Sequence, residues 1–184
     1  MKAGIVSKIC LFLIVLYLSS ANAYEVDLSN NRKLNFAVPS DSNLSVDVEI
    51  NEASRRALMI KKTDKAGREQ FSMNLYITKS EATISNSESE GLAVLSKDCE
   101  YYADGSTEKV VDIKKYEGKL NVFYCSYTDA SFKEGQNNGF KYLLAAFSTD
   151  GEYKYHAAIL LNNIGVDQDI FIHIMETLVI KDET

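Results

Sequence analysis

The chain has 184 residues and a formal net charge of -6; it is 46% hydrophobic and 25% charged, with three cysteines, one proline and no tryptophan. Those proportions are near the globular average and exclude collagen-like, strongly disordered and multi-span membrane classes. The length fits one domain with a substantial core.

The N-terminus reads as a targeting segment. Lys2 and Lys8 lead into a continuous apolar run, Ile9–Leu18, followed by Ser19, Ser20 and the small-residue pattern Ala21-Asn22-Ala23. This three-part order is the signature of a secretory signal peptide, with cleavage expected after Ala23. The apolar run is too short to span a bilayer, and no later stretch approaches the roughly 20 apolar residues that a membrane helix needs. The expected organisation is a removed segment, 1–23, and a single domain, 24–184, in the periplasm or secreted. Removal leaves 18 basic residues against 26 acidic ones, a net charge of -8, and two cysteines, Cys99 and Cys125. An even pair in an oxidising compartment favours a disulfide over a catalytic thiol.

Beyond the leader, Leu34–Val38 reads as a short strand stopped at Pro39, which cannot donate to a ladder. Ser40–Asn43 reads as a turn. Leu44–Ile50 alternates apolar and polar residues, the period of a half-buried strand. Ala57–Lys61 forms another strand, closed by the turn Asp64–Gly67, and Phe71–Thr78 alternates again. The period then changes. Ser85 and Ser87 each precede a glutamate by three positions, giving two overlapping capping boxes. Leu92, Leu95, Cys99 and Tyr102 recur at spacings of three and four, one face of a helix ending at Gly105. Gly91 lowers helix propensity and argues for a late start.

Four strands follow: Val110–Tyr116, Leu120–Tyr127, Phe140–Phe147 and Tyr153–Leu161. A longer loop, Thr128–Gly139, separates the middle two, and Asp150-Gly151 marks a hairpin between the last two. Ile170, Phe171, Ile174 and Leu178 share a face of a C-terminal helix, with Asp167 as its expected N-cap. Val179–Lys181 suits a short closing strand. The fold class is therefore α+β: a mainly antiparallel sheet with two packed helices in one domain. Cys99 on the first helix and Cys125 on a strand would pin helix to sheet, provided their Cα atoms come within about 7 Å.

This order of elements, with Tyr116-Glu117-Gly118-Lys119-Leu120 after the first helix and Ile170-Phe171-Ile172-His173-Ile174-Met175-Glu176-Thr177-Leu178 in the last, resembles the PsbP-like fold. That fold includes photosystem extrinsic proteins, a Ran-binding nuclear protein and exported bacterial domains of unassigned role. The resemblance implies a binding or assembly module and carries no catalytic residues to this chain.

The residues themselves point the same way. His156 lies in an apolar strand and His173 on the last helix, four residues after Asp169, so neither has metal-ligand spacing. No nucleophile elbow, phosphate-binding loop, dinucleotide fingerprint or EF-hand loop is present. The expectation is a non-enzyme with no cofactor and no metal. Asn43-Leu44-Ser45 is a glycosylation sequon, relevant only in a eukaryotic source.

Eight of the eleven tyrosines fall between Tyr101 and Tyr155. Most suit sheet packing. Tyr116, Tyr153 and Tyr155, near hairpin ends, are the candidates for an aromatic binding surface. Nucleic acid is disfavoured as a partner because the chain lacks a basic groove. The leading expectation is an exported binding or assembly module of the cell envelope with a protein or small-molecule ligand. The alternative is a small acidic inhibitor or immunity-type protein that uses Thr128–Gly139 against a basic hydrolase or toxin.

Overall fold

Hydrophobic alternation builds most of the molecule. The computed structural model describes residues 21–28, 32–39, 44–51, 55–80, 84–133 and 139–182. In chain order these are β1 (Ala21–Leu28), β2 (Arg32–Pro39), β3 (Leu44–Asn51), β4 (Arg55–Thr63), β5 (Glu69–Lys79), α1 (Ile84–Asp104), β6 (Lys114–Tyr116), β7 (Val122–Thr128), β8 (Tyr142–Thr149), β9 (Tyr153–Leu161), α2 (Ile164–Thr177) and β10 (Val179–Asp182). Seven strands form an antiparallel sheet in the order β3-β4-β5-β9-β8-β7-β6, and three more form the sheet β1-β2-β10. The class is α+β.

One face of the large sheet is sealed. Phe71, Met73, Leu75 and Ile77 of β5 alternate inward, as do Tyr155, Ala157, Ile159 and Leu161 of β9. They meet Phe171, Ile174 and Met175 of α2 and Leu34, Phe36 and Val38 of β2 in a single core. Each fully buried side chain of this size contributes roughly 1.5–3 kcal/mol. β10 follows α2 directly and pairs with β2 from Val179↔Asn35 to Asp182↔Arg32, so the helix and the small sheet close the core together.

The opposite face carries α1, which packs on β7 and β8 through Leu95, Cys99, Cys125, Ala145 and Phe147. Cys99 and Cys125 form the expected disulfide, with their Cα atoms 6.0 Å apart. Gly91 serves this packing: a Cβ there would overlap the Phe147 ring, so the residue that argued for a late helix start is the one that seats the helix.

Several expectations are corrected. α1 begins at Ile84, so Ser85 and Ser87 lie inside it rather than capping it. Ser87 is buried, and its hydroxyl accepts from Ser80 Oγ at 3.0 Å, next to Thr149 Oγ1. α2 begins at Ile164, and its cap is Asn163, whose side chain accepts from Gly165 N at 3.1 Å. Asp167 instead sits in the first turn, 3% exposed, and pairs with Lys62 Nζ of β4 at 3.0 Å. β1 was not foreseen, because its first three residues coincide with the expected cleavage pattern; it pairs with β2 from Ala21↔Pro39 to Leu28↔Arg32. The expected turn Ser40–Asn43, and the sequon asparagine with it, lies outside the described residues.

Candidate functional site

The three tyrosines chosen from sequence separate. Tyr155 is 0% exposed and donates to Asp150 Oδ2 at 2.6 Å, which braces the β8–β9 hairpin from inside. Tyr153 is 7% exposed and accepts from Arg32 Nη1 at 2.7 Å, tying β9 to the small sheet. Neither ring reaches solvent, so neither belongs to a binding surface. Strand alternation explains the outcome: positions 153, 155, 157, 159 and 161 all face the sealed core. Only Tyr116, 39% exposed, remains.

Tyr116 belongs to an edge that sequence reasoning read as an ordinary strand. The expected strand Val110–Tyr116 is ordered as a strand only over Lys114–Tyr116. Upstream, Thr107 N donates to Thr128 O at 3.0 Å, and Glu108 accepts from Thr128 N and Oγ1 at 2.9 and 2.7 Å. Lys109 then adopts φ +58°, left-handed backbone that a side-chain-bearing residue rarely takes. That turn carries the chain off the β7 ladder until Lys114 pairs with Tyr124. Residues 107–119 are all exposed, with Val110, Val111 and Ile113 at 65%, 40% and 37%. The result is an apolar strip along the free edge of the large sheet. It is set among Lys109, Lys114, Lys115 and Lys119 and the acids Glu108, Asp112 and Glu117, the last ion-paired with Lys115 at 2.8 Å.

A second open region lies on the α1 side of the sheet. α1 covers β7 and β8, while no described helix or strand lies over β3, β4 and β5 on that side. The register aligns Met59, Asn74 and Ala158 in one row and Ala57, Tyr76 and His156 in the next. Asn74 Oδ1 and His156 Nδ1 are both buried without a hydrogen-bond partner. His156 packs on Phe147, with ring centroids 4.9 Å apart. Burial, with a smaller push from Lys154, lowers its pKa to about 4, so the imidazole is neutral near pH 7. Lys154 itself is ion-paired with Glu90 of α1. Along α1, the rings of Tyr101, 77% exposed, and Tyr102, half-buried, lie 5.8 Å apart at 55°. Burial, then the nearby Asp98, Tyr101 and Tyr76, raises the Tyr102 phenol above its ordinary value.

Elsewhere the chemistry is structural. His173 Nδ1 lies 3.1 Å from Glu176 Oε1 rather than pairing with Asp169. A Cβ on Gly118 would overlap the Glu176 carboxylate, so the β6–β7 turn sits against the end of α2. A polar cleft of about 220 Å³ opens between Arg68, Gln70, Phe132 and Lys141. Its groups are already engaged: Arg68 pairs with Asp64 at 2.7 Å, and Asn162 accepts from Lys141 N at 3.1 Å. Among the described residues no three His, Cys, Asp or Glu side chains converge on a metal position, and no helix is long and apolar enough to cross a membrane. Compared with known proteins, the chain matches no family model, no curated sequence and no solved structure.

Proposed function

We propose that this chain is an exported, non-enzymatic binding module of the cell envelope, and that it holds a protein partner along the free edge of its large sheet. The observation behind this reading is the strip at 107–119. Exposed apolar side chains lie beside a sheet edge whose outer backbone groups have no neighbouring strand among the described residues. Such an edge accepts an extended segment by strand addition: backbone hydrogen bonds supply affinity and the flanking side chains supply selectivity. A lone apolar side chain on a surface needs no explanation, but a contiguous set does. The overall negative charge pointed to a basic partner; this edge, with four lysines against three acids, is nearly balanced and favours a segment chosen by its apolar side chains.

Export rests on the N-terminal pattern and is supported by the disulfide, which persists in oxidising compartments. Cleavage after Ala23 would leave Tyr24–Leu28 of β1 paired with Arg32–Phe36 of β2. The PsbP-like reading belongs to this proposal through the order of elements alone.

The test is affinity capture from the native cell envelope with the wild-type chain and with the Val110→Asp/Ile113→Asp variant. Both positions are exposed, so circular dichroism should be unchanged. A protein retained by the wild type and lost by the variant supports the reading. Identical retention by the two chains overturns it.

A further inference from the structure

We propose that the β6 edge takes a second copy of this chain, joined antiparallel about a two-fold axis at Ile113. This rests on the proposed function of that edge and names its occupant.

The available length is set by the backbone. Lys109, in left-handed backbone, closes one end and the β6–β7 turn at Gly118 the other, which leaves Val110–Tyr116 for a ladder. Residues 111–113 are neither helix nor turn, and 114–116 are strand already. Among the described residues no strand lies beyond β6. Pairing with β7 fixes the faces. Lys115 stands opposite Phe123, its Nζ 5.8 Å from the ring centroid, on the α1 side; Lys114 stands opposite Tyr124 on the sealed side. Alternation along an extended run then puts Val110, Asp112, Lys114 and Tyr116 on one side, and Val111, Ile113 and Lys115 on the other.

Symmetry restricts how two such runs can meet. A two-fold dimer brings the same patch of both copies together, and residues directly opposite in an antiparallel pair share a face. The axis must therefore pass through a residue that meets its own copy. Centring on Asp112, Lys114 or Lys115 sets like charges face to face, which is destabilising. Ile113 is apolar and is the midpoint of Val110–Tyr116. With the axis there, Asp112 meets the partner's Lys114, Val110 meets the partner's Tyr116, and each contact occurs twice. Val111 meets the partner's Lys115, whose ammonium is held by Glu117 at 2.8 Å and whose stem can cover the valine.

Charge and exposure favour this occupant. Neither Asp112 nor Lys114 has an ion-pair partner among the described residues, so both are available between copies. Val110, Ile113 and Tyr116 are 65%, 37% and 39% exposed, apolar surface that the pairing withdraws from water. Lysines on a sheet edge ordinarily keep other chains away. Here they select: a foreign segment leaves Asp112 and Lys114 uncompensated, and the chain's own segment compensates both. The contact is short beside the roughly 20–30 residues a side of a standard interface, so dissociation is expected on the order of 10–100 µM.

Sedimentation velocity of the disulfide-intact chain, from about 1 µM to about 500 µM, tests this. A monomer–dimer equilibrium is expected. Asp112→Lys and Lys114→Asp, both at exposed positions, each set like charges opposite one another and should weaken it about tenfold or more. An equimolar mixture of the two variants restores opposite charges at both crossings and should associate within about threefold of wild type. A monomeric wild type, dimers unchanged by either variant, or a mixture no more associated than its components would overturn the proposal. A monomeric wild type with an envelope protein lost by Val110→Asp/Ile113→Asp would overturn self-pairing alone and leave the edge function standing. A monomeric wild type with identical capture would overturn both.

Discussion

The large sheet is finished differently on its two faces, and the difference separates stability from recognition. On one face, α2 and the three-stranded sheet close over β4, β5 and β9, and the side chains between them are apolar and almost wholly buried. On the other, a single helix covers β7 and β8, and the rest carries Asn74, Tyr76 and His156 half-open to solvent. A sheet needs one sealed face to fold. The second face is then free to hold polar groups whose burial is incomplete, among them Asn74 Oδ1 and His156 Nδ1, each without a partner.

Truncating one residue on each face should separate them most strongly. Phe171→Ala in the sealed core should cost about 3–5 kcal/mol, whereas Met59→Ala on the open half should cost about 1 kcal/mol. Urea unfolding of the two variants measures the contrast, and equal losses would mean that the faces are not distinct. Next in size is the disulfide, which anchors the one helix on the open side among the described residues. Replacing Cys99 and Cys125 together by alanine should cost about 3–4 kcal/mol in the chain-entropy description of a loop of this length. Because α1 still rests on Phe147 through Gly91, the helical signal in circular dichroism should survive below the new melting temperature.

Acid titration probes the same interface. In the unfolded chain His156 binds a proton near 6.5, while in the fold it does so only near 4. Above about pH 6.5 both states are neutral and stability is unaffected by this residue. As pH falls, the unfolded state takes up the proton first, and stability is lost until the folded pKa is passed, about 3 kcal/mol in all. The stability of wild type relative to His156→Gln should therefore fall between pH 7 and pH 4. A constant gap would place the imidazole outside the interface. The smallest effect is expected at Asn74: with Oδ1 unpartnered, Asn74→Leu should be neutral or stabilising within about 1 kcal/mol. A loss above about 2 kcal/mol would reveal a hydrogen bond to that amide.

How much of this was legible in the sequence depends on what each residue answers to. The alternating strands and the α2 face were readable because one side of each element must be apolar. Cys99 and Cys125 were readable as a pair because helix period and strand period placed each on an inward face. Three features were not. Gly91 looked like a weakness in a helix, and only contact with Phe147, far away in sequence, shows why a side chain is excluded there. Ser87 looked like a cap because its spacing to Glu90 fits one, but its hydroxyl belongs to a buried contact with Ser80 and Thr149. Tyr153 and Tyr155 looked like surface residues near a hairpin end, yet their parity with Ala157 and Ile159 already assigned them to the core. That signal was present and was outweighed by the tendency of tyrosine to mark interfaces.

On the proposed function, partners meet this protein on the open side and β6 edge of the large sheet and not on the face sealed by α2. Hydrogen–deuterium exchange of the disulfide-intact chain, measured alone and while loaded with its captured envelope partner, tests it directly. The predicted result is new protection confined to 107–119, with or without α1 and β5, and none over α2 or the β1-β2-β10 sheet. Protection centred on α2 and the small sheet would contradict the account.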